Sequence, residues 1–115
     1  MSYPKNNSKD TTMIIVLATI ESTIGDIDAL RQTIINLEVA TRKEPGNISY
    51  SFNTQVANPN VIQVVERWET LDALAYHLKT PHVAEFTGIM TNHPPKSMVA
   101  NAYDVAKEVD IPMPS

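Results

Sequence analysis

Ile48-Ser49-Tyr50-Ser51-Phe52-Asn53-Thr54-Gln55, then Asn58-Pro59-Asn60, then Val61-Ile62-Gln63-Val64-Val65-Glu66-Arg67-Trp68-Glu69 is the stretch on which the fold turns. Its first part alternates large or β-branched residues with small polar ones, the period of two expected of a half-buried strand. Asn-Pro-Asn is turn chemistry, and the β-branched run after it reads as the antiparallel partner. The middle of the chain is therefore a hairpin.

Upstream of the hairpin, Met13 to Ile20 is a second apolar, β-branched run, which predicts a first strand. From Asp26 the pattern changes: Ile27, Leu30, Ile34, Leu37 and Thr41 recur at helical spacing. Arg42 and Lys43 sit where cations suit the helix dipole, and Pro45-Gly46 stops the helix. Downstream, Thr70 is a cap for a helix over 71–79 with Leu71, Leu74, Ala75 and Leu78 on one face. Thr80-Pro81 opens another helical piece carrying Val83, Phe86 and Met90. Met98 to Val105 then alternates as a last strand. The order β-α-β-β-α-β predicts a ferredoxin-like α+β domain over residues 13–105, with a four-stranded antiparallel sheet and helices on one face. Residues 1–12 read as an N-terminal arm and 106–115 as a C-terminal tail, whose Val109, Ile111 and Met113 alternate as an added edge strand would.

Strand one is apolar on both sides, with Ile14, Val16, Ala18 and Ile20 on one and Met13, Ile15 and Leu17 on the other. Helices cover only one face of such a sheet. Each Val or Ile left in water forgoes roughly 1.5–3 kcal/mol that burial would supply, so the second face predicts a homodimer formed sheet against sheet.

The 115 residues, 43% hydrophobic, suit one core. The nine Lys and Arg are scattered and the net charge is −4, which argues against nucleic acid as a partner. The first ten residues have no apolar segment, and the first apolar run is far shorter than the roughly 20 residues of a membrane span. A cytoplasmic protein with no membrane partner is the expectation. With no cysteine, disulfides, thiolate nucleophiles and Cys-based metal sites are excluded. Three glycines, Gly25, Gly46 and Gly88, cannot build a phosphate-cradling loop, so no nucleotide cofactor is expected. His77 and His82 are five apart across a predicted helix break, not the three or four of a helical metal pair, so no metal is expected either.

Lys43-Glu44-Pro45-Gly46-Asn47-Ile48-Ser49-Tyr50, the strand end Glu66-Arg67-Trp68-Glu69 running on through Thr70-Leu71-Asp72-Ala73-Leu74-Ala75-Tyr76-His77, and Thr80-Pro81-His82-Val83-Ala84-Glu85-Phe86 together resemble the antibiotic biosynthesis monooxygenase domain family over about 90 residues. The resemblance implies a dimeric α+β barrel. For the enzymes of the family it implies oxygenation of quinols or polycyclic aromatics without metal, flavin or haem. Such chemistry needs a substrate able to pass an electron to oxygen itself, so the protein must remove a proton and hold an aromatic ring away from water.

His77 is the candidate base, since a neutral imidazole accepts a phenolic proton near neutral pH. Helical geometry sets it at the border of the apolar face, which suits a pocket rim or an ordinary capping histidine. Glu66 and Trp68 project to the same face as Ile62 and Val64. Glu66 either accepts a hydrogen bond from His77 or substrate, or makes an ion pair with Arg42 or Lys43. Trp68 is either a wall for a flat substrate or a core residue. Tyr50, Phe52 and Phe86 are candidate substrate-lining residues, with ordinary core as the alternative. A base and an acid would also serve isomerisation of a phosphorylated autoinducer-type sugar, for which His77-Leu78-Lys79-Thr80-Pro81-His82 offers one cation, Lys79. The same cavity without chemistry would make a binding protein for a small hydrophobic ligand.

Overall fold

A computed structural model describes residues 13–23 and 25–114. The arm expected over 1–12 lies outside them. The elements are β1 (Met13–Glu21), α1 (Asp26–Arg42), β2 (Asn47–Thr54), β3 (Val61–Trp68), α2 (Leu71–His77), α3 (Pro81–Met90) and β4 (Ser97–Val105). All strand pairs are antiparallel, in the order β2-β3-β1-β4. This is the ferredoxin-like α+β fold, with the second helical segment broken in two at Thr80.

Register decides which side chains meet. Tyr50 faces Glu66 and Phe52 faces Val64 across β2 and β3, while Val16 faces Glu66 and Ile14 faces Trp68 across β1 and β3. These residues share the helix-covered face. Leu30, Ile34, Leu37 and Thr41 of α1 are buried against it, the stripe that the helical spacing predicted. The core has two parts: Ile14, Val16, Leu37, Tyr50, Trp68 and Leu74 at one end, and Ile20, Ile62 and Val64 at the other.

The stripe expected on α2 is not the one observed. Leu74 is buried, but Leu71 and Leu78 are exposed, and His77 is buried at 2% exposure where a border position was expected. The seven-residue helix points its last turn at the sheet, so burial there follows the turn into α3 and not the leucine spacing.

β4 belongs to the sheet yet is covered by no helix: every residue from Ser97 to Asp104 is exposed. On the face away from the helices Leu17, Val99 and Tyr103 are exposed and Met13, Ile15, Val61 and Val65 half-buried. Residues 106–114 form neither helix nor strand, and Val109, Ile111 and Met113 are exposed. No helix among the described residues is long and apolar enough to cross a membrane.

Candidate active site

The link between α1 and β2 builds the first part of the site. After Arg42 the chain passes Glu44 and Pro45 and turns at Gly46, whose φ of +82° is the left-handed conformation open to glycine. A Cβ on Gly46 would stand 2.7 Å from the Cβ of Ala73. Close approach of this link to α2 therefore depends on glycine, and it brings Glu44 to the histidine four residues beyond Ala73.

His77 Nδ1 lies 2.7 Å from Glu44 Oε2, and His82 Nε2 lies 2.7 Å from the same oxygen. The side chains of His77 and Glu44 are 3% and 5% exposed, that of His82 23%. One carboxylate thus draws together two imidazoles, and a buried carboxylate in that position requires donors. With Nδ1–H of His77 donating to Glu44, Nε2 is the nitrogen left to accept a proton from the cavity that the residue lines.

Local sequence explains how α2 and α3 present both rings. Thr70 caps α2 through its side chain, accepting from the Ala73 N–H at 3.0 Å. Thr80, at the N-cap of α3, makes no such side-chain cap and instead turns its hydroxyl back to donate to the His77 carbonyl at 2.7 Å. Pro81 then starts α3 in a new direction. The chain between the two histidines is thus a bend and not a continuous helix, which is why a spacing of five brings them to one oxygen.

The cavity, of about 380 Å³, lies between the helix face of the sheet and helices α2 and α3. Val16, Leu37, Val64, Leu74 and Val83 give it apolar walls, and Met98, Ala100 and Ala102 of the uncovered β4 extend it to the surface. Tyr50, Phe52 and Phe86, the expected lining residues, are all on the wall. The rings of Phe52 and Phe86 meet edge to face at 5.5 Å, and Tyr50 lies 5.8 Å from Phe52 and 5.2 Å from the His77 ring. Tyr50 is buried, and that burial, with the carboxylates of Glu66, Glu44 and Glu38 nearby, pushes its phenol far above the ordinary range. It stays protonated.

Glu66 lines the cavity, but its partner is neither His77 nor a cation. The indole N–H of Trp68 donates to Glu66 Oε1 at 3.0 Å, while Arg42 lies 3.6 Å from Glu38 and donates to the Tyr50 carbonyl. Burial raises the Glu66 carboxyl above its ordinary value, the indole bond and His77 pulling the other way and Glu44 adding to the rise. Trp68 itself is fully buried and is not on the cavity wall. Its ring packs 4.7 Å from the His77 ring, so it stands behind the cavity wall, in contact with Glu66 and His77.

Sequence reasoning missed Glu44 and His82 as members of this cluster. Glu44, His77 and His82 offer three ligand-type atoms within 4.8 Å of one another, so the argument from spacing against a metal does not survive the folded geometry. The Glu-Pro-Gly helix end was the available signal. A carboxylate just before a left-handed glycine is held in a fixed direction, and its target is whatever packs on that glycine.

The fold and site define a ferredoxin-like α+β domain with an apolar, aromatic-lined cavity and one imidazole on its wall. Residues 13–88 match the family model of the antibiotic biosynthesis monooxygenases, and the chain belongs to that family. Among solved structures, a proposed antibiotic biosynthesis monooxygenase from Deinococcus radiodurans superposes with a TM-score of 0.79 at 23% identity, covering 87% of this chain and 99% of that one. A similar protein from Nitrosomonas europaea gives 0.77 at 14% identity, over 84% and 92% of the two chains. The chain is also 43% identical over 58 residues to the uncharacterized protein sll1783 of Synechocystis, a match that spans 50% of this chain and 37% of that protein.

Proposed function

We propose that the protein is a cofactor-independent monooxygenase that oxidises a small quinol or similarly electron-rich aromatic with molecular oxygen. The observation that carries this reading is the single imidazole on the wall of an apolar cavity, its Nδ1 committed to a buried carboxylate and its Nε2 left for substrate. His77 accepts the phenolic proton. The resulting anion passes an electron to oxygen, the two radicals combine at a ring carbon, and loss of water leaves the oxidised ring. The walls exclude solvent from these steps, and Tyr50, Phe52 and Phe86 hold the ring edge to face or stacked. Glu44 and Trp68 are positioning residues, and Glu66 is the second polar group within reach of a substrate oxygen.

The isomerase of a phosphorylated sugar is the weaker reading. No Lys or Arg is among the residues lining the cavity, and a carboxylate is; a phosphate dianion would meet an unbalanced negative charge there. A binding protein for a small hydrophobic ligand would use the same walls without turnover. Oxygen uptake by chelator-treated protein with a panel of hydroquinones, corrected for autoxidation, tests the first reading. Acceleration that disappears in His77→Gln supports it. Tight binding of a quinone with no uptake moves the assignment to the binding protein.

The assembly proposed is a homodimer through the sheet face opposite the helices, with the tail over 106–115 reaching toward the partner subunit. Exposed Leu17, Val99 and Tyr103, with half-buried Ile15 and Val65 between them, make the apolar surface that such a dimer covers. Light scattering at micromolar concentration should give twice the chain mass for the wild type and the chain mass for Leu17→Asp. A wild-type mass of one chain overturns the dimer.

A further inference from the structure

We propose that Glu44, His77 and His82 form a binding site for a divalent transition-metal ion of the zinc type. Two imidazole nitrogens and a carboxylate are the donor set of a three-ligand zinc centre that keeps a fourth position for water. The three donor atoms already lie within 4.8 Å of one another. Both nitrogens sit 2.7 Å from Glu44 Oε2, with protons in the gaps; ligands of a tetrahedral zinc stand roughly 3.3 Å apart, so a small turn of the carboxylate admits the ion.

A second observation points the same way. Glu44 Oε1 is buried and has no hydrogen-bond partner among the described residues. A carboxylate oxygen withdrawn from water without a donor is destabilising, and a cation between the two rings offsets that cost by binding either oxygen. Entry is from the His82 side, the one member of the set that is partly exposed.

Metal on Nδ1 of His77 displaces the proton that Nδ1 now holds, and the ring, staying neutral, carries it on Nε2. The nitrogen offered to the cavity then changes from acceptor to donor. On the reading proposed above, zinc would therefore switch the base off; the site itself does not depend on that reading.

The test is calorimetric titration of chelator-treated protein with zinc chloride, with His82→Ala and Glu44→Gln alongside and circular dichroism to verify folding. One ion per chain is expected, weakened about a hundredfold or more in either variant. Cobalt(II) should give the intense visible bands of a tetrahedral site. Nitrogen-15 spectra of the wild type should show the His77 proton moving from Nδ1 to Nε2 as zinc is added, a readout that needs no variant. Absence of saturable binding, or binding that both variants retain with an unchanged His77 tautomer, overturns the proposal and leaves an adventitious ion only. The titration uses no substrate, so a protein that consumes no oxygen can still bind zinc, and one that binds no zinc can still be an oxygenase.

Discussion

The helix-covered face of the sheet has two ends of unlike chemistry. At one, Ile20, Ile62 and Val64 pack with Ile27, Phe52 and Met90, and the polar groups beside them are Ser22, which donates to the Asn60 carbonyl, and His93, 3.5 Å from Asp26. At the other, Trp68, Tyr50 and Leu74 surround an imidazole, with two carboxylates and a second imidazole bonded into the same region. A protein selected for stability alone would gain little from the second end, because buried charges are seldom worth more than the apolar residues that could replace them. The apolar end holds the fold, and on the function proposed above the polar end is where the chain does its work.

His77→Gln should produce the largest difference between the ends. The glutamine amide can still donate to Glu44, so the buried carboxylate keeps a partner, but the imidazole proposed to accept the substrate proton is gone. Loss of a positioned general base lowers the rate about 10²- to 10⁴-fold, and steady-state oxygen uptake reads it. Retained uptake would remove the imidazole from the mechanism and dissolve the contrast.

Ile62→Ala should do the reverse. Ile62 is 2% exposed at the apolar end and is not on the cavity wall. Truncation there costs about 2–5 kcal/mol of stability, measured by urea denaturation, while uptake per folded molecule stays at the wild-type level. An uptake loss matching that of His77→Gln would mean that the two ends are one functional unit.

Gly46→Ala lies between these cases in kind and below them in size. A side chain at φ +82° is strained, and the Ala73 Cβ is 2.7 Å away, so α2 must shift. The expected destabilisation is about 1–3 kcal/mol. Because α2 carries His77, uptake should fall along with the melting temperature, unlike in Ile62→Ala.

The contrast between the ends also separates what the sequence could and could not convey. Strand alternation, the α1 stripe and the Asn58-Pro59-Asn60 turn are local signals with a fixed period, and the structure follows them. The lining residues Tyr50, Phe52 and Phe86 came from the same logic. The polar end was only half legible. Glu66 and Trp68 were placed together by strand periodicity, but the bond between them, and the withdrawal of Trp68 from the wall, depend on how deeply β3 sits under α2. Glu44 meets His77 across 33 positions and His82 across 38, through a left-handed turn and a helix break that no helical or strand period encodes.

Glu66→Gln should give the smallest effect, and it probes the price of the polar end directly. Burial raises the folded-state carboxyl above its unfolded value. For an acid shifted upward, ionisation penalises the folded form, so the wild type is most stable where Glu66 is protonated in both states, below its unfolded value. That advantage is lost as pH rises through the folded value. Glutamine never ionises, and its side-chain oxygen can still accept from the Trp68 indole. The variant should therefore melt above the wild type at pH 8, and the gap should close as the pH falls below the ordinary carboxylate range. Calorimetric melting temperatures at several pH values read this. A gap independent of pH would assign the difference to packing, and a wild type that melts higher at pH 8 would mean that the ionised carboxylate is held by more than the one indole bond.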